Sequence, residues 1–257
     1  MCIDCGCASP DHDHQHHHDE TRDKDHQHEH DHEHRTIRIE EDLLAKNDRL
    51  ARRNRDIFAD QGVFVLNLVS SPGSGKTSIL ERTLADLKEQ MRFAVLEGDQ
   101  QTSNDANRIA ATGVPVRQIN TGAGCHLDAH MIGHGVEAFD LGATDVLLIE
   151  NVGNLVCPAA FDLGEDHKVT VLSVTEGEDK PLKYPQMFQA ADLLLINKID
   201  LLPYLRFDIE QCKAYARQVN PQLRILELSC QSGAGMEKWY KWLREGVKSK
   251  KAVTGNS

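Results

Sequence analysis

The sequence predicts an α/β domain: a mostly parallel sheet flanked by helices. Three observations carry that prediction. From Val63 onward, short apolar runs of strand length alternate with helix-length amphipathic stretches. Loops rich in glycine, cysteine or acidic residues follow those runs, at the strand ends where parallel sheets bind ligands. The 257 residues suffice for one sizeable α/β domain with appendages, not for two full domains.

In chain order, residues 1–35 form a Cys/His-rich tail. Its first 34 residues hold 10 of the 14 His, 3 of the 7 Cys and ten acidic side chains against two basic ones, a net near −8. No apolar residue after Ala8 anchors a core there, so residues 8–35 are expected to be disordered without metal. Residues 36–62 read as one amphipathic helix that docks on the domain C-terminal to it. Leu43, Leu44, Leu50, Ala51, Ile57 and Phe58 recur near heptad spacing, and Gly62 supplies a stop. Within 63–248, strands are predicted at Val63–Val69, Phe93–Glu97, Val114–Ile119, Val146–Ile149, Val169–Val174, Leu193–Ile196 and Leu223–Leu228. Helices are predicted between them, for example Thr77–Gln90 and Leu127–Leu141, which makes βαβ units. Residues 249–257 read as a short tail.

Composition excludes several classes. Outside the acidic tail the net charge is near −3 of the total −11, with no basic stripe, so no nucleic-acid partner is expected. No run of about 18 apolar residues exists to span a membrane. The start, MCIDCGC, has neither a basic nor an apolar signal-peptide region, so a cytoplasmic location is expected. An odd number of cysteines, three of them crowded into positions 2–7, suits a metal better than a disulfide framework.

The segment Ser70-Ser71-Pro72-Gly73-Ser74-Gly75-Lys76-Thr77 ends a strand and opens a helix, as a P-loop does, with Ser70 standing where the pattern has its first Gly. Gly73 and Gly75 free backbone N–H groups around Ser74 for phosphate oxygens, and the helix N-terminus through Ser78 adds its dipole. Lys76 would reach the β/γ-phosphates, and the Thr77 hydroxyl would bind Mg²⁺. Asn197-Lys198-Ile199-Asp200 closes a later strand. A carboxylate at Asp200 accepts both the N1–H and N2–H₂ donors of guanine but is repelled by the N1 acceptor of adenine, which argues for GTP/GDP. Ser229–Ser232 follows the last strand and can back the base. Asp99 and Glu150 end strands where they can hold Mg²⁺ or orient the attacking water. Gly153 is expected to offer its N–H to the γ-phosphate, making 150–157 a switch loop.

Soft ligands recur in two places. Cys2, Cys5 and Cys7, with the α-amine if Met1 is removed, supply three sulfurs and one nitrogen, a set suited to Zn²⁺, Cu(I) or Ni²⁺. The interleaved His and acidic residues behind them suit exchangeable divalent ions, a reservoir. Cys125 and His126 follow the third strand and Cys157 ends the switch loop of the fourth, so the three meet on the nucleotide rim if those strands are neighbours. His130 and His134 continue an i, i+4, i+8 stripe from His126 and are carried as additional candidate ligands. Cys212 and Cys230 read as structural.

Taken together, these motifs make the chain similar to the HypB family of nickel-inserting GTPases. The resemblance rests on Cys2-x-x-Cys5-Gly6-Cys7, Ser71–Thr77, Glu97-Gly98-Asp99-Gln100-Gln101-Thr102, Gly124–Asp128, Glu150–Pro158 and Asn197–Asp200. It implies a P-loop NTPase fold of the SIMIBI type, tight nickel binding at Cys2, Cys5 and Cys7, and a weaker nickel or zinc (Ni²⁺/Zn²⁺) site at Cys125, His126 and Cys157. It further implies a GTP-promoted homodimer that works with the HypA metallochaperone on the large-subunit precursor of [NiFe]-hydrogenase. With no evident arginine finger, hydrolysis is expected to be slow. Delivery to urease, a nickel buffer and a small-molecule kinase are the rival readings; the thiol cluster, the intact Lys76 and Thr77, and Asp200 weigh against them in turn.

Overall fold

The computed structural model describes residues 22–99, 103–122 and 124–254. Cys2, Cys5, Cys7 and the start of the His-rich tail lie outside the described residues. The chain divides into Met1–Lys46 and Asn47–Ser257. The first unit contributes the beginning of a helix, α1 (Arg22–Asp60), whose remainder belongs to the second.

The seven predicted strands all form: β1 (Phe64–Ser70), β2 (Phe93–Asp99), β3 (Val116–Asn120), β4 (Val146–Gly153), β5 (His167–Ser173), β6 (Leu193–Asn197) and β7 (Arg224–Glu227). They make one sheet in the order β3-β2-β4-β1-β5-β6-β7, and every pairing is parallel. The intervening helices are α2 (Lys76–Leu87), α3 (Asn104–Ala110), α4 (Ala129–Val136), α5 (Lys180–Lys183), α6 (Pro185–Ala190), α7 (Ile209–Val219) and α8 (Met236–Thr254). No helix among the described residues is long and apolar enough to cross a membrane.

Strand alternation divides the core. Leu66 and Leu68 of β1, with Val95, Leu148 and Val171, pack under Ile79, Leu80 and Leu84 of α2 and Trp239 and Leu243 of α8. The opposite face carries two clusters. Val65, Leu96, Leu147 and Ile149 meet Phe58, Leu127, Ile132 and Leu163, whereas Val69, Leu172, Leu194 and Ile196 meet Met187, Phe188, Cys212 and Ala216. Cys212 is fully buried, and burial pushes its thiol up to about 12, as a structural cysteine requires.

Three boundaries differ from the sequence expectation. Helix α1 begins at Arg22, not Thr36, so residues 22–35 are helical rather than disordered. Neither Gly nor Pro occurs from Asp11 to Gln61, so a helix docked at its C-terminal end extends by propagation alone, without a second nucleation. The buried stripe of α1 keeps Ala51 and Phe58 of the predicted apolar seam but replaces its leucines with asparagines. Leu43 and Ile57 are exposed, while Asn47, Ala51, Asn54 and Phe58 are buried. Hydrogen bonds satisfy the buried asparagines. Asn47 Nδ2 donates to Asp162 O at 2.8 Å and its Oδ1 accepts from Ala129 N at 2.9 Å. Asn54 Nδ2 donates to Ala129 O at 2.8 Å and Leu163 O at 3.1 Å. The supposed tail from residue 249 continues α8 to Thr254, because Lys250 donates to Asp166 at 2.6 Å and Lys251 reaches Asp145.

Replacing Asn54 with Ala removes the amide that bonds both Ala129 O and Leu163 O in the interior. Urea denaturation of N54A should show about 1–3 kcal/mol less stability than the parent chain. A loss within about 0.5 kcal/mol, the spread of ordinary surface changes, would mean that water replaces the amide.

Candidate nucleotide and metal site

The P-loop leaves β1 at the centre of the sheet, where successive connections run to opposite sides. Gly73 and Gly75 both take positive φ, 74° and 98°. A Cβ on Gly75 would lie 2.5 Å from Asn197 Nδ2, so only glycine lets the loop and the guanine-motif strand approach this closely. Asn197 Nδ2 donates to Ser74 O at 3.0 Å, and Lys198 Nζ donates to Gly73 O at 2.8 Å. Lys198 has φ 63°, left-handed for a side chain larger than Gly. That conformation costs about 1–2 kcal/mol and persists because the loop bonds hold it. Ser229 Oγ donates to Asp200 Oδ1, so the loop over residues 229–232 braces the Asp200 carboxylate.

Lys76 is buried, and its Nζ donates to Ser70 Oγ at 2.8 Å. The departure from glycine at position 70 thus gives the lysine a hydroxyl partner. Burial lowers the Lys76 pKa, and the Glu150 carboxylate acts in the other direction. Thr77 Oγ1 donates to Glu150 Oε1 at 2.7 Å, which puts both predicted Mg²⁺ ligands side by side. Two hard oxygen donors beside a phosphate cradle fit that ion. Asp99 closes β2, with its side chain half-buried. Gly153 pairs in register with Ser70, and a Cβ there would stand 3.1 Å from Pro72, so its backbone lies against the P-loop.

Sequence reading passed over one member of this group. Glu97 sits beside Glu150 in register on neighbouring strands, on the face that carries Lys76. Both carboxyls are buried, and Glu97 Oε2 and Glu150 Oε2 have no hydrogen-bond partner. Burial first, then the charges of Glu150 and Asp99, pushes Glu97 up to about 8. Burial pushes Glu150 up to about 7 against the pull of Lys76 and Thr77. The available signal was strand alternation: Val95, Glu97 and Asp99 share one face.

On the opposite side of the same rim, three soft side chains come together, although β3 and β4 are not the neighbours that the sequence expectation required: β2 lies between them, and the loops that follow β3 and β4 reach across its end. The Cys125 and Cys157 sulfurs are 2.7 Å apart, and Cys125 Sγ lies 3.6 Å from His126 Nδ1. No disulfide joins the two thiols, and the ligand atoms of Cys125, His126 and Cys157 all fall within 4.8 Å of one another. The His126 ring packs on Phe161 at 3.9 Å, and burial lowers its pKa, favouring the neutral imidazole that metals need. Two thiols and a neutral imidazole form a soft donor set with room for a fourth ligand, suited to nickel or zinc.

His130 and His134 do not join this cluster. Helix α4 starts at Ala129 under the Asp128 cap, whose carboxylate accepts from Met131 N at 2.8 Å, so His126 precedes the helix and the predicted stripe is broken. The two rings face each other at 4.6 Å on an exposed helix face.

The comparisons with known proteins accord with this arrangement. The family described as "CobW/HypB/UreG, nucleotide-binding domain" matches residues 64–227. "Hydrogenase maturation factor HypB" of Azotobacter vinelandii is 64% identical over 209 residues, covering 81% of this chain and 69% of its own. The Escherichia coli (strain K12) protein of the same name is 62% identical over 209 residues, with 81% and 72% coverage. This chain belongs to the HypB family. The crystal structure of HypB from Helicobacter pylori in complex with nickel matches the HypB-family fold seen here with a TM-score of 0.76 and 41% identity. It covers 79% of this chain and 96% of that one.

Glu97 yields a pH test. A carboxyl with a folded pKa near 8 binds more protons in the folded than in the unfolded chain, where 4.5 applies. Stability of the metal- and nucleotide-free protein therefore falls as pH rises between those values. Glu97→Gln removes that loss, so its Tm should exceed wild type at about pH 8.5 and the difference should close near pH 5. Parallel melting curves at both pH values would contradict the assignment.

Proposed function

We propose that the chain is a GTPase that inserts nickel into the large-subunit precursor of [NiFe]-hydrogenase. The observation that carries this reading is the single strand β4. Its Glu150 touches the P-loop Thr77, and the chain runs on from the strand's end at Gly153 to Cys157, a member of the soft-ligand cluster. Nucleotide and cargo therefore share one short segment. The nickel-bound Helicobacter pylori relative, and the hydrogenase maturation named for the others, support the cargo and the destination.

In this reading Lys76 leaves Ser70 to meet the β/γ-phosphates, the amides around Ser74 and Gly75 cradle them, and Ser78 lies in the first turn of the helix that opens there. Asp200, braced by Ser229, reads guanine, with Asn197 and Lys198 fixing the loop. Thr77, Asp99 and Glu150 would hold Mg²⁺, which supplies positive charge to the phosphates. Gly153 N–H meets the γ-phosphate, so the segment to Cys157 is ordered with GTP and released after hydrolysis. Thermodynamic reciprocity then requires bound nickel or zinc to alter nucleotide affinity. Turnover is expected to be slow, because the sequence offers no evident arginine finger. Cys2, Cys5 and Cys7 bind nickel at the N-terminus, the His-rich tail stores it, and GTP promotes a homodimer. That dimer works in the cytoplasm with the HypA metallochaperone.

Two measurements test the reading. Asp200→Ala removes a charged acceptor worth about 1.5–3 kcal/mol, so GTP affinity should fall about 10- to 150-fold while ATP affinity stays unchanged. GTP turnover of Cys157→Ala should lose the response to Ni²⁺ that wild type shows. An identical nickel response in both proteins would end the switch reading.

A further inference from the structure

A chain of buried polar groups crosses the sheet face behind the soft-ligand cluster. It starts one residue beyond the P-loop contact, at Asn151. Asn151 Oδ1 accepts from Leu127 N at 3.1 Å, directly after Cys125-His126, and from Val152 N at 3.0 Å. Its Nδ2 donates to Asn67 Oδ1 at 3.2 Å, and Asn67 Nδ2 donates to Glu165 Oε1 at 3.0 Å. Beside Glu165, at 3.9 Å, lies Lys168, whose Nζ donates to the carbonyls of Pro158, Ala159 and Phe161 at 2.9, 3.3 and 3.1 Å. Those carbonyls belong to the loop that follows Cys157, and Phe161 is the residue stacked on His126.

Asn67, Asn151, Glu165 and Lys168 are all buried, on a sheet face whose core clusters are otherwise apolar side chains. Four such groups are costly unless each is satisfied, and a satisfied network admits few alternative arrangements. Each end of the chain grips one ligand-bearing segment, and its centre is Asn67, on the strand that delivers the P-loop. The register adds a mechanical reason. Leu68 pairs with Glu150 but Ser70 pairs with Gly153, so β4 carries one extra residue beside Asn151. Strand alternation turns Glu150 to Thr77 and Asn151 to Leu127, and the bulge bends the strand just beyond them.

We propose that the Asn151–Asn67–Glu165–Lys168 chain is the mechanical link between nucleotide and metal. Its members are positioning residues: a shift of Glu150 at the phosphates turns Asn151, which moves the Cys125-His126 segment through Leu127 and the Cys157 loop through Lys168. This rests on the switch reading above and names the parts that transmit it.

The full-length protein tests the link through the affinity of a fluorescent, non-hydrolysable GTP analogue, measured without metal and with Ni²⁺. In wild type nickel should change that affinity about fivefold or more, the lower range of allosteric coupling, and Cys157→Ala should abolish the change. Asn151→Ala and the isosteric Glu165→Gln, which replace none of the side chains assigned to phosphate, Mg²⁺ or the soft-ligand cluster, should still bind GDP and nickel yet compress the ratio below about twofold. A merely structural defect would weaken both affinities together and leave their ratio intact. If Asn151→Ala does not bind GDP, Glu165→Gln alone decides. A wild-type ratio in either nucleotide-binding variant overturns the link and leaves the switch standing. Equal affinities with and without nickel in wild type overturn the switch, and the link with it.

Discussion

The carboxyl end of β4 constrains everything around it. Successive residues of a strand point to opposite faces, so Glu150 and Asn151 cannot serve the same side. Glu150 is committed to Thr77 and the phosphate cradle, Asn151 to the polar chain and Leu127. The extra residue before Gly153 then brings the backbone against Pro72, close enough that no larger residue fits without movement. Phosphate binding, ligand placement and loop shape all follow from how that strand leaves the sheet.

Electrostatics explain why the site is poised rather than relaxed. Glu97 and Glu150 lie in register, each with one buried, unpartnered oxygen; burial raises both pKa values, and the charge of Glu150 adds to the rise at Glu97. Lys76, itself losing basicity through burial, offsets only part of that cost. Sites that keep unpaired carboxyls buried are commonly built for a cation or a reacting group that restores the balance. The hard oxygens gather on one face of the rim and the soft sulfurs on the other. The two kinds of donor are therefore kept apart, although Glu150 and Cys157 lie on one short stretch of chain.

The long first helix docks through polar contacts as well as the apolar ones of Ala51 and Phe58. Asn47 and Asn54 each bridge Ala129, at the start of α4, to the Asp162–Leu163 loop, while Arg55 grips Asp162 at 2.7 Å. Both segments lead from the soft-ligand residues. The helix thereby closes the same neighbourhood from outside that the polar chain holds from within.

How much of this was legible in the sequence depends on the range of the interaction. Local patterns sufficed for the seven strands, the P-loop, the guanine motif and the three soft ligands, because period, glycine placement and ligand chemistry are properties of short segments. The helix unforeseen over residues 22–35 and the failed His130/His134 stripe were errors of boundary, where capping by Asp128 and propagation from a docked end decide. Contacts between segments far apart in sequence stayed hidden. Glu97 beside Glu150, Asn67 beneath Asn151, and asparagines in place of the leucine seam all depend on which strands become neighbours and in what register. The sequence alone determined which chemical groups this protein carries and the strand ends that bear them. Only the tertiary structure decided which of them are buried together, since burial and charge pairing are set by the packing of the whole sheet.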